Sequence, residues 1–427
     1  MLSKIKIWHF ILFVLTLIIV LRITAIIDIA ILIASFIRFL FYKPGQAINF
    51  IDWVLFDYFV SILLLFITPV VVVLLKNKIK ILAISINTVG ALIIILIIGS
   101  VLAPVIPVSS PKFQYDISAA KLLPPLSSME ILELKPIQDR VVDPLINFIR
   151  AKSGIRPEVV DKNYFVADKI EIGDEIIIYN KGQKKIIQFD YLVEKRLTVE
   201  NYSTLFMLGT DEYGRDLFSR IIYGARLSLF IGFGSILVSL TIGLGLGFIS
   251  GFFGGLIDTV LNRLSEMFMA FPMIFLVILI IALMGSSLPV IVFILGFSGW
   301  MSLYKIIRSE VISIKEKDFI VTAKLLGRSK SHILFNEMIP VMISPIVVNL
   351  VLQYSNVIVA ESALSYLGLG LGNQYASWGS MIAAGQYYLS QAWWMSFFPC
   401  LFLFITLLTL NNLGNKFEKI LDPRLQR

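Results

Sequence analysis

Between Leu227 and Phe253 the chain reads LSLFIGFGSILVSLTIGLGLGFISGFF, 27 residues without one charged side chain. A helix at the surface of a soluble domain shows a polar face, whereas this stretch is apolar or small all round. About 20 helical residues cross a hydrocarbon core roughly 30 Å thick, so the stretch reads as a membrane span. Working outward, seven more runs have the same character: Ile7–Ile27 (with apolar character continuing to Phe41), Trp53–Leu75, Ile81–Ala103, Met267–Met284, Leu288–Tyr304, Met338–Ala360 and Ala392–Leu413. The composition agrees, with 57% hydrophobic and 15% charged residues and a mean hydropathy of +0.86 over 427 residues, against roughly 25% charged in soluble domains. The sequence therefore predicts an all-α polytopic membrane protein of about eight transmembrane helices.

The formal charge of +8 does not point to nucleic acid, because the excess lies in short loops and at the tail, where positive charge fixes topology. Lys4 and Lys6 precede the first span, and Lys76, Lys78 and Lys80 separate the second from the third. Lys305, Arg308, Lys315, Lys317, Lys324, Arg328 and Lys330 lie between the sixth and seventh, and Lys416, Lys419, Arg424 and Arg427 close the chain. Eight spans and a cytoplasmic start put all four clusters inside, with both termini cytoplasmic. No small-residue cleavage site follows the first apolar run promptly, so it reads as a retained helix. Cys400 is the only cysteine, which excludes an intramolecular disulfide framework.

Four zones follow: an N-terminal membrane region over 1–103, a water-facing insertion over 104–204, a core of five spans over 205–414, and a cytoplasmic tail over 415–427. The insertion carries 14 acidic and 14 basic residues and opens in proline-rich coil. Lys169–Ile178 and Lys184–Val193 flank Asn180-Lys181-Gly182 and predict a β-hairpin, so the insertion is a small β-containing extracytoplasmic module. A structured spacer and a docking point for a substrate donor are both open to it.

In the fourth span, Gly243, Gly247, Gly251 and Gly255 recur every fourth residue, which bares a strip of backbone for close helix approach; packing or gating is the role of such a strip. Arg263 and Glu266, three apart, predict an ion pair on one helix face, and Pro272 predicts a bend. The longest loop between spans, Lys315–Glu337, begins KEKDFIVTAKLLGRSKSHILFNE. Asp318, Phe319, Thr322, Ala323, Leu326 and Gly327 fall on a short predicted helix, and Pro340 opens the next span. A basic helix with small residues between apolar knobs suits either the membrane surface or a groove in a partner protein.

LGTDEYGRDLFSRIIYGAR (Leu208–Arg226) resembles the LGTDxxGRD signature of permeases of the dipeptide/oligopeptide (peptide/nickel) ABC importer family. Lys315–Pro340 resembles the cytoplasmic EAA loop of binding-protein-dependent permeases, and ESALSYLGLG (Glu361–Gly370) and LDPRL (Leu421–Leu425) extend the likeness over about 208–427. The resemblance implies that the loop docks on a cytoplasmic ATPase subunit, with Ala323, Gly327 and Pro340 matching the motif's second alanine, its glycine and its terminal proline. Val321, Thr322 and Val341 depart from the motif. It further implies a homologous second permease, two ATP-binding cassette ATPase subunits that use ATP and Mg, an extracytoplasmic substrate-binding protein, and residence in a bacterial cytoplasmic (inner) membrane. Short peptides are the implied cargo, with nickel or another metal chelate, or glycosides, as alternatives within the same family.

The phosphate-cradling pattern G-x-x-x-x-G-K-[ST] does not occur, so the chain is not expected to hydrolyse ATP or to bind a cofactor. His9 and His332 are the only histidines, too few to build a metal site with Cys400. An ion-driven secondary transporter would need carboxylates in mid-span; Asp28 and Asp57 are the candidates and both fall near membrane edges. Glu361, placed just after the seventh span, is a candidate outer-face gate or a structural contact.

Overall fold

A computed structural model describes residues 6–50, 53–76, 88–106, 110–136, 143–155, 164–172, 175–180, 183–188, 197–372 and 375–421. Two compact units emerge, one from residues 1–226 with 381–401 and one from residues 227–380 with 402–427.

The first unit opens with α1 (Ile7–Leu21) and α2 (Ile23–Tyr42). Backbone hydrogen bonds carry across Arg22, from its N–H to Ile18 and from Ile26 N–H to its carbonyl. The two helices together measure about 54 Å, well beyond a hydrocarbon core of about 30 Å, so the first span expected over Ile7–Ile27 continues as helix to Tyr42. Its partners are α3 (Trp53–Leu75) and α4 (Thr88–Val101). Lys76 lies over the ring of Trp8 at 4.8 Å, and Ser61 Oγ donates to Val101 O at 3.2 Å, which fixes the helices in register. Residues 77–87, where the third span was expected to begin, lie outside the described residues.

In the insertion, β1 (Ser127–Pro136) pairs antiparallel with β6 (Leu197–Phe206) over ten positions, and β2 (Tyr164–Ala167) adds to its other edge. A second sheet holds β3 (Lys169–Ile172), β4 (Glu175–Asn180) and β5 (Gln183–Gln188). The expected hairpin is β4–β5, with Asn180 facing Gln183. Its first arm is shorter than the sequence suggested, because Lys169–Ile172 forms a strand of its own. Helix α5 (Pro144–Ile155) packs on the far end of α2, where Phe148 stacks on Phe39 at 5.9 Å and both rings are fully buried.

Helix α6 (Leu217–Phe253) passes from the first unit into the second. There follow α7 (Gly255–Ala270), α8 (Met273–Met284), α9 (Leu288–Ile314), α10 (Asp318–Leu325), α11 (Ile339–Tyr366), α12 (Trp378–Gly385) and α13 (Trp394–Leu421). Among the described residues, six helices are long and apolar enough to span a membrane, or seven if α7 and α8, bent by 85° from one another, are counted as one broken span. This is a polytopic helical membrane protein with two small sheets. The expected fifth span, Met267–Met284, is not one straight helix: α7 reaches back to Gly255 and the chain bends by 85° between α7 and α8.

Candidate functional site

The loop between α9 and α11 begins where α9 loses its apolar face. Asp318 sits in the first turn of α10, where a carboxylate suits the positive end of the helix. The helix stops at Gly327, whose φ of +72° is left-handed and excludes a comfortable Cβ. Leu326 N–H continues the helical pattern to Thr322 O at 2.9 Å, and Arg328 N–H reaches Ala323 O at 3.1 Å, the six-to-one bond of a glycine-terminated helix end. Ser329 then caps the next turn, accepting from His332 N–H at 3.2 Å. One π-turn, Ile333–Met338, leads into α11, with Pro340 in its first turn, where a missing N–H costs nothing.

One face of this loop is anchored. Ile320 and Ala323 pack with Ile314, Ile333, Met338 and Met342 against Phe248, Leu303, Ile307 and Val311. The other face is apolar and open: Leu325 is 83% exposed and Leu326 74%, with Phe319, Val321 and Phe335 also exposed. Thr322 and Gly327 are exposed too. Sequence reasoning placed Ala323 on the outward face as a small residue between knobs. The structure turns it inward, and the glycine's role is conformational. The residues that sequence reasoning missed, Leu325 and Phe335, share the signal of apolar side chains flanked by Lys317, Arg328 and Lys330.

Behind the loop, three of the four spaced glycines meet one neighbour. A Cβ at Gly243, Gly247 or Gly251 would lie 3.0, 2.9 and 2.8 Å from the Cβ of Leu303, Ile307 and Val311 respectively, so α6 and α9 touch backbone to side chain at three successive turns. Gly255 is outside this seam: it starts α7, has nothing within 4 Å and takes a φ of +59°.

Helix α7 is tied to α9 by charge. Arg308 donates to Asp258 through Nε at 2.5 Å and Nη2 at 2.6 Å. Ser250 Oγ also bonds Asp258 and lies 2.9 Å from Tyr304 Oη. Lys315 Nζ reaches Gly251 O at 3.3 Å. Asp258 and Arg308 stand 50 residues apart, so periodicity gave no sign of the pairing. Arg263 and Glu266 pair at 2.7 Å on the exposed face of α7.

Glu361, the candidate gate or structural contact, is buried. It lies inside α11, 3% exposed, and accepts from Ser228 Oγ at 2.7 Å, Ser365 Oγ at 2.8 Å and Ser377 Oγ at 3.1 Å. On the same helix, Gln353 takes a bond from Ser239 at 3.2 Å and Asn349 donates to Ser302 at 3.3 Å. Asn349, Gln353 and Glu361 thus tie α11 to α6 and α9 by polar contacts.

In the first unit, Asp211 accepts from the N–H groups of Tyr213 and Arg215, both at 2.9 Å, and from Arg215 Nε at 2.6 Å. Asp216 caps α6 through Ser219 N–H at 3.0 Å. Thr210 bonds Leu123 N–H at 2.8 Å and receives Trp394 Nε1 on its carbonyl at 3.2 Å. These contacts make the LGTDEYGRD stretch a fastening between the insertion and the base of α6. Burial raises the Asp216 carboxyl above its ordinary range, and it does the same to Glu212, where the nearby Asp211 adds to the effect. Asp57, a candidate intramembrane carboxylate, is held by Arg226 at 2.5 and 2.6 Å.

Residues 243–427 match the model of the binding-protein-dependent transport system inner membrane component family. The dipeptide transport system permease protein DppC of Bacillus subtilis (strain 168) is 38% identical over 239 residues, covering 55% of this chain and 75% of that protein. The chain belongs to this permease family. The oligopeptide transport system permease protein OppC of the same organism is 36% identical over 219 residues, 51% of this permease and 72% of the relative. A crystal form of the inward-facing MetNI methionine ABC transporter aligns with a TM-score of 0.40 at 13% identity, covering 48% of the permease and 96% of that chain.

Proposed function

We propose that the permease carries short peptides inward across the cytoplasmic membrane, driven by ATP hydrolysed on separate subunits. Its relatives named for dipeptide and oligopeptide transport support the cargo. The observation that carries the coupling is the open apolar face of the loop. Two leucines more than 70% exposed, on a segment rimmed by lysine and arginine, form a surface that a water-facing loop keeps only for a partner. An ATPase subunit takes that face. Its movement presses on Ile320 and Ala323, which pass it to α6, α9 and α11 through the packed cluster beneath. A homologous second permease completes the pathway, two ATPases sit on the paired loops, and an extracytoplasmic binding protein delivers substrate. In this arrangement both termini are cytoplasmic and residues 104–204 lie outside. The permease itself supplies no ATPase site and holds no cofactor. Asp318, Phe319, Thr322, Leu326, Gly327 and Pro340 shape the docking element, and the glycine seam and Pro272 shape the helices that move.

The test is Leu325→Glu combined with Leu326→Glu, assayed for co-purification of the ATPase subunits and for uptake of labelled di- and oligopeptides. The expected outcome is loss of the ATPases and at least a tenfold fall in uptake, with the double variant still present in the membrane at wild-type level. Full uptake by the double variant would refute the docking role. Uptake of a nickel chelate or glycoside by the wild type, and of no peptide, would overturn the cargo.

A further inference from the structure

Helix α7 runs antiparallel to α9. Asp258 meets Arg308 at one end, and ten residues on Phe268 packs against Phe297 at 5.6 Å and Trp300 at 6.2 Å. Phe297 lies nine residues into α9, about 14 Å from its start, so the 85° bend that follows at Phe271-Pro272 falls near the middle of a bilayer about 30 Å thick. The last carbonyls of α7 and the first N–H groups of α8 have no partner within their own helices. Phe271 N–H turns back to Phe268 O at 3.3 Å and Phe275 N–H to Pro272 O at 3.0 Å, and Pro272 has no N–H at all. The break is on the surface of the unit: Met267, Met269 and Phe271 are each about half exposed or more, at 62%, 52% and 49%. Irregular backbone at hydrocarbon depth does not face lipid; it is covered by protein or lines water.

We propose that the break at Met269–Met273 lines the translocation pathway and offers its free carbonyls to the N–H groups of a passing peptide. A covering transmembrane helix has no backbone N–H to give, since its own are spent on its turns, and could meet these carbonyls only through side-chain donors. An extended peptide presents an N–H at nearly every residue, and its ammonium end is drawn to the negative end of α7. The exposed Met267 and Met269 beside the break are flexible, polarizable side chains that adapt to varied partners. A pathway that passes peptides of many sequences needs that tolerance, together with recognition through backbone. The peptide part of this inference rests on the function proposed above; the pathway part does not.

The experiment uses the assembled importer in proteoliposomes, with Met269→Cys, Ala270→Cys and Phe271→Cys each made in a Cys400→Ala background. Phe66→Cys, an exposed apolar position within α3, is the lipid-facing comparison. The probe is a positively charged, membrane-impermeant methanethiosulfonate, which reacts with the thiolate that forms in water. The expected result is labelling of the three break variants at least tenfold faster than Phe66→Cys, slowed at least threefold by saturating peptide. Labelling as slow as that of Phe66→Cys would overturn the assignment, and if such variants still take up peptide the function stands without it. Fast labelling that peptide does not slow would keep the pathway and sink peptide recognition there. Should a variant fail to assemble, hydrogen exchange on the unsubstituted complex decides: Met273 and Ile274 amides exchanging as slowly as the α9 core would refute the proposal, and fast exchange would sustain it.

Discussion

Two alanine substitutions two residues apart on α6 should act with opposite sign. At Gly247 a Cβ would sit 2.9 Å from Ile307 Cβ and 3.0 Å from Tyr304 O, against an ordinary carbon–carbon contact of about 3.5–4.0 Å. The helices must separate by several tenths of an ångström along a seam that also includes Gly243 and Gly251, and overpacking of this kind costs about 1–3 kcal/mol. Replacing glycine by alanine in a helix returns about 0.5–1 kcal/mol, so Gly247→Ala should lose up to about 2.5 kcal/mol net. Gly245, with nothing within 4 Å, collects only the gain, so Gly245→Ala should add up to about 1 kcal/mol. Adding Ile307→Ala should rescue Gly247→Ala only in part, since it removes the Cγ2 at 2.9 Å but leaves the Ile307 Cβ and the Tyr304 carbonyl in place. At about 2–4 °C per kcal/mol for a unit of this size, thermal unfolding of the purified protein in detergent resolves both effects. A shift of the same sign for the two variants would refute the seam.

Glu212→Gln tests the buried carboxyl before α6, whose Oε2 has no partner among the described residues. Because burial raises the folded-state pKa, the native state binds the extra proton and stability falls as pH rises from the ordinary carboxylate value through the raised one. The glutamine variant should lack that slope, so the stability difference between variant and wild type should grow from pH 4 to 7; a constant difference would contradict it. For Asp258 and Arg308, either alanine variant alone should cost more than half of what the double variant costs, with a coupling of about 1–3 kcal/mol in a double-mutant cycle; strict additivity would mean that the pair contributes nothing. Gly327→Ala should cost about 1–2 kcal/mol of loop stability and raise protease cleavage between Leu326 and Ser329, whereas unchanged digestion would show that the left-handed turn is dispensable. Phe148→Ala should cost about 3–5 kcal/mol and free the far end of α2, read as faster amide exchange over Phe36–Tyr42; protection equal to the wild type would argue against the clamp.

Much of the fold was legible because a bilayer imposes a simple demand: a long uncharged run has few alternatives to a span. The loop after α9 was legible for the converse reason, since charge returns there while apolar residues persist. Periodicity places residues on a face and is silent about the neighbour, which is why Ala323 was put on the wrong side of α10. Its fate was decided by Ile314 and Met338, on other elements. Pairings such as Asp258 with Arg308 or Ser228 with Glu361 join helices far apart in sequence, and no local pattern encodes them. Pro272 announced a bend, but not that a helix from Gly255 would lead into it or that the bend would reach 85°. Gly255 continued the spacing of the seam, yet the chain turns at Gly254 and leaves the last member of the series without a partner.

The long β1–β6 ladder has a consequence for the chain that runs between its two strands. Pro136 faces Leu197 and Ser127 faces Phe206, so the sixty residues numbered 137–196 leave and return through adjacent points on paired strands. A tight hairpin of a few residues would close the same gap and keep the spacing between the preceding and following spans. The connection could therefore be shortened with the β1–β6 register unchanged. Its removal would leave two surfaces bare: the edge of β1 that β2 covers, and the tip of α2, where Phe39 would lose the ring stacked on it.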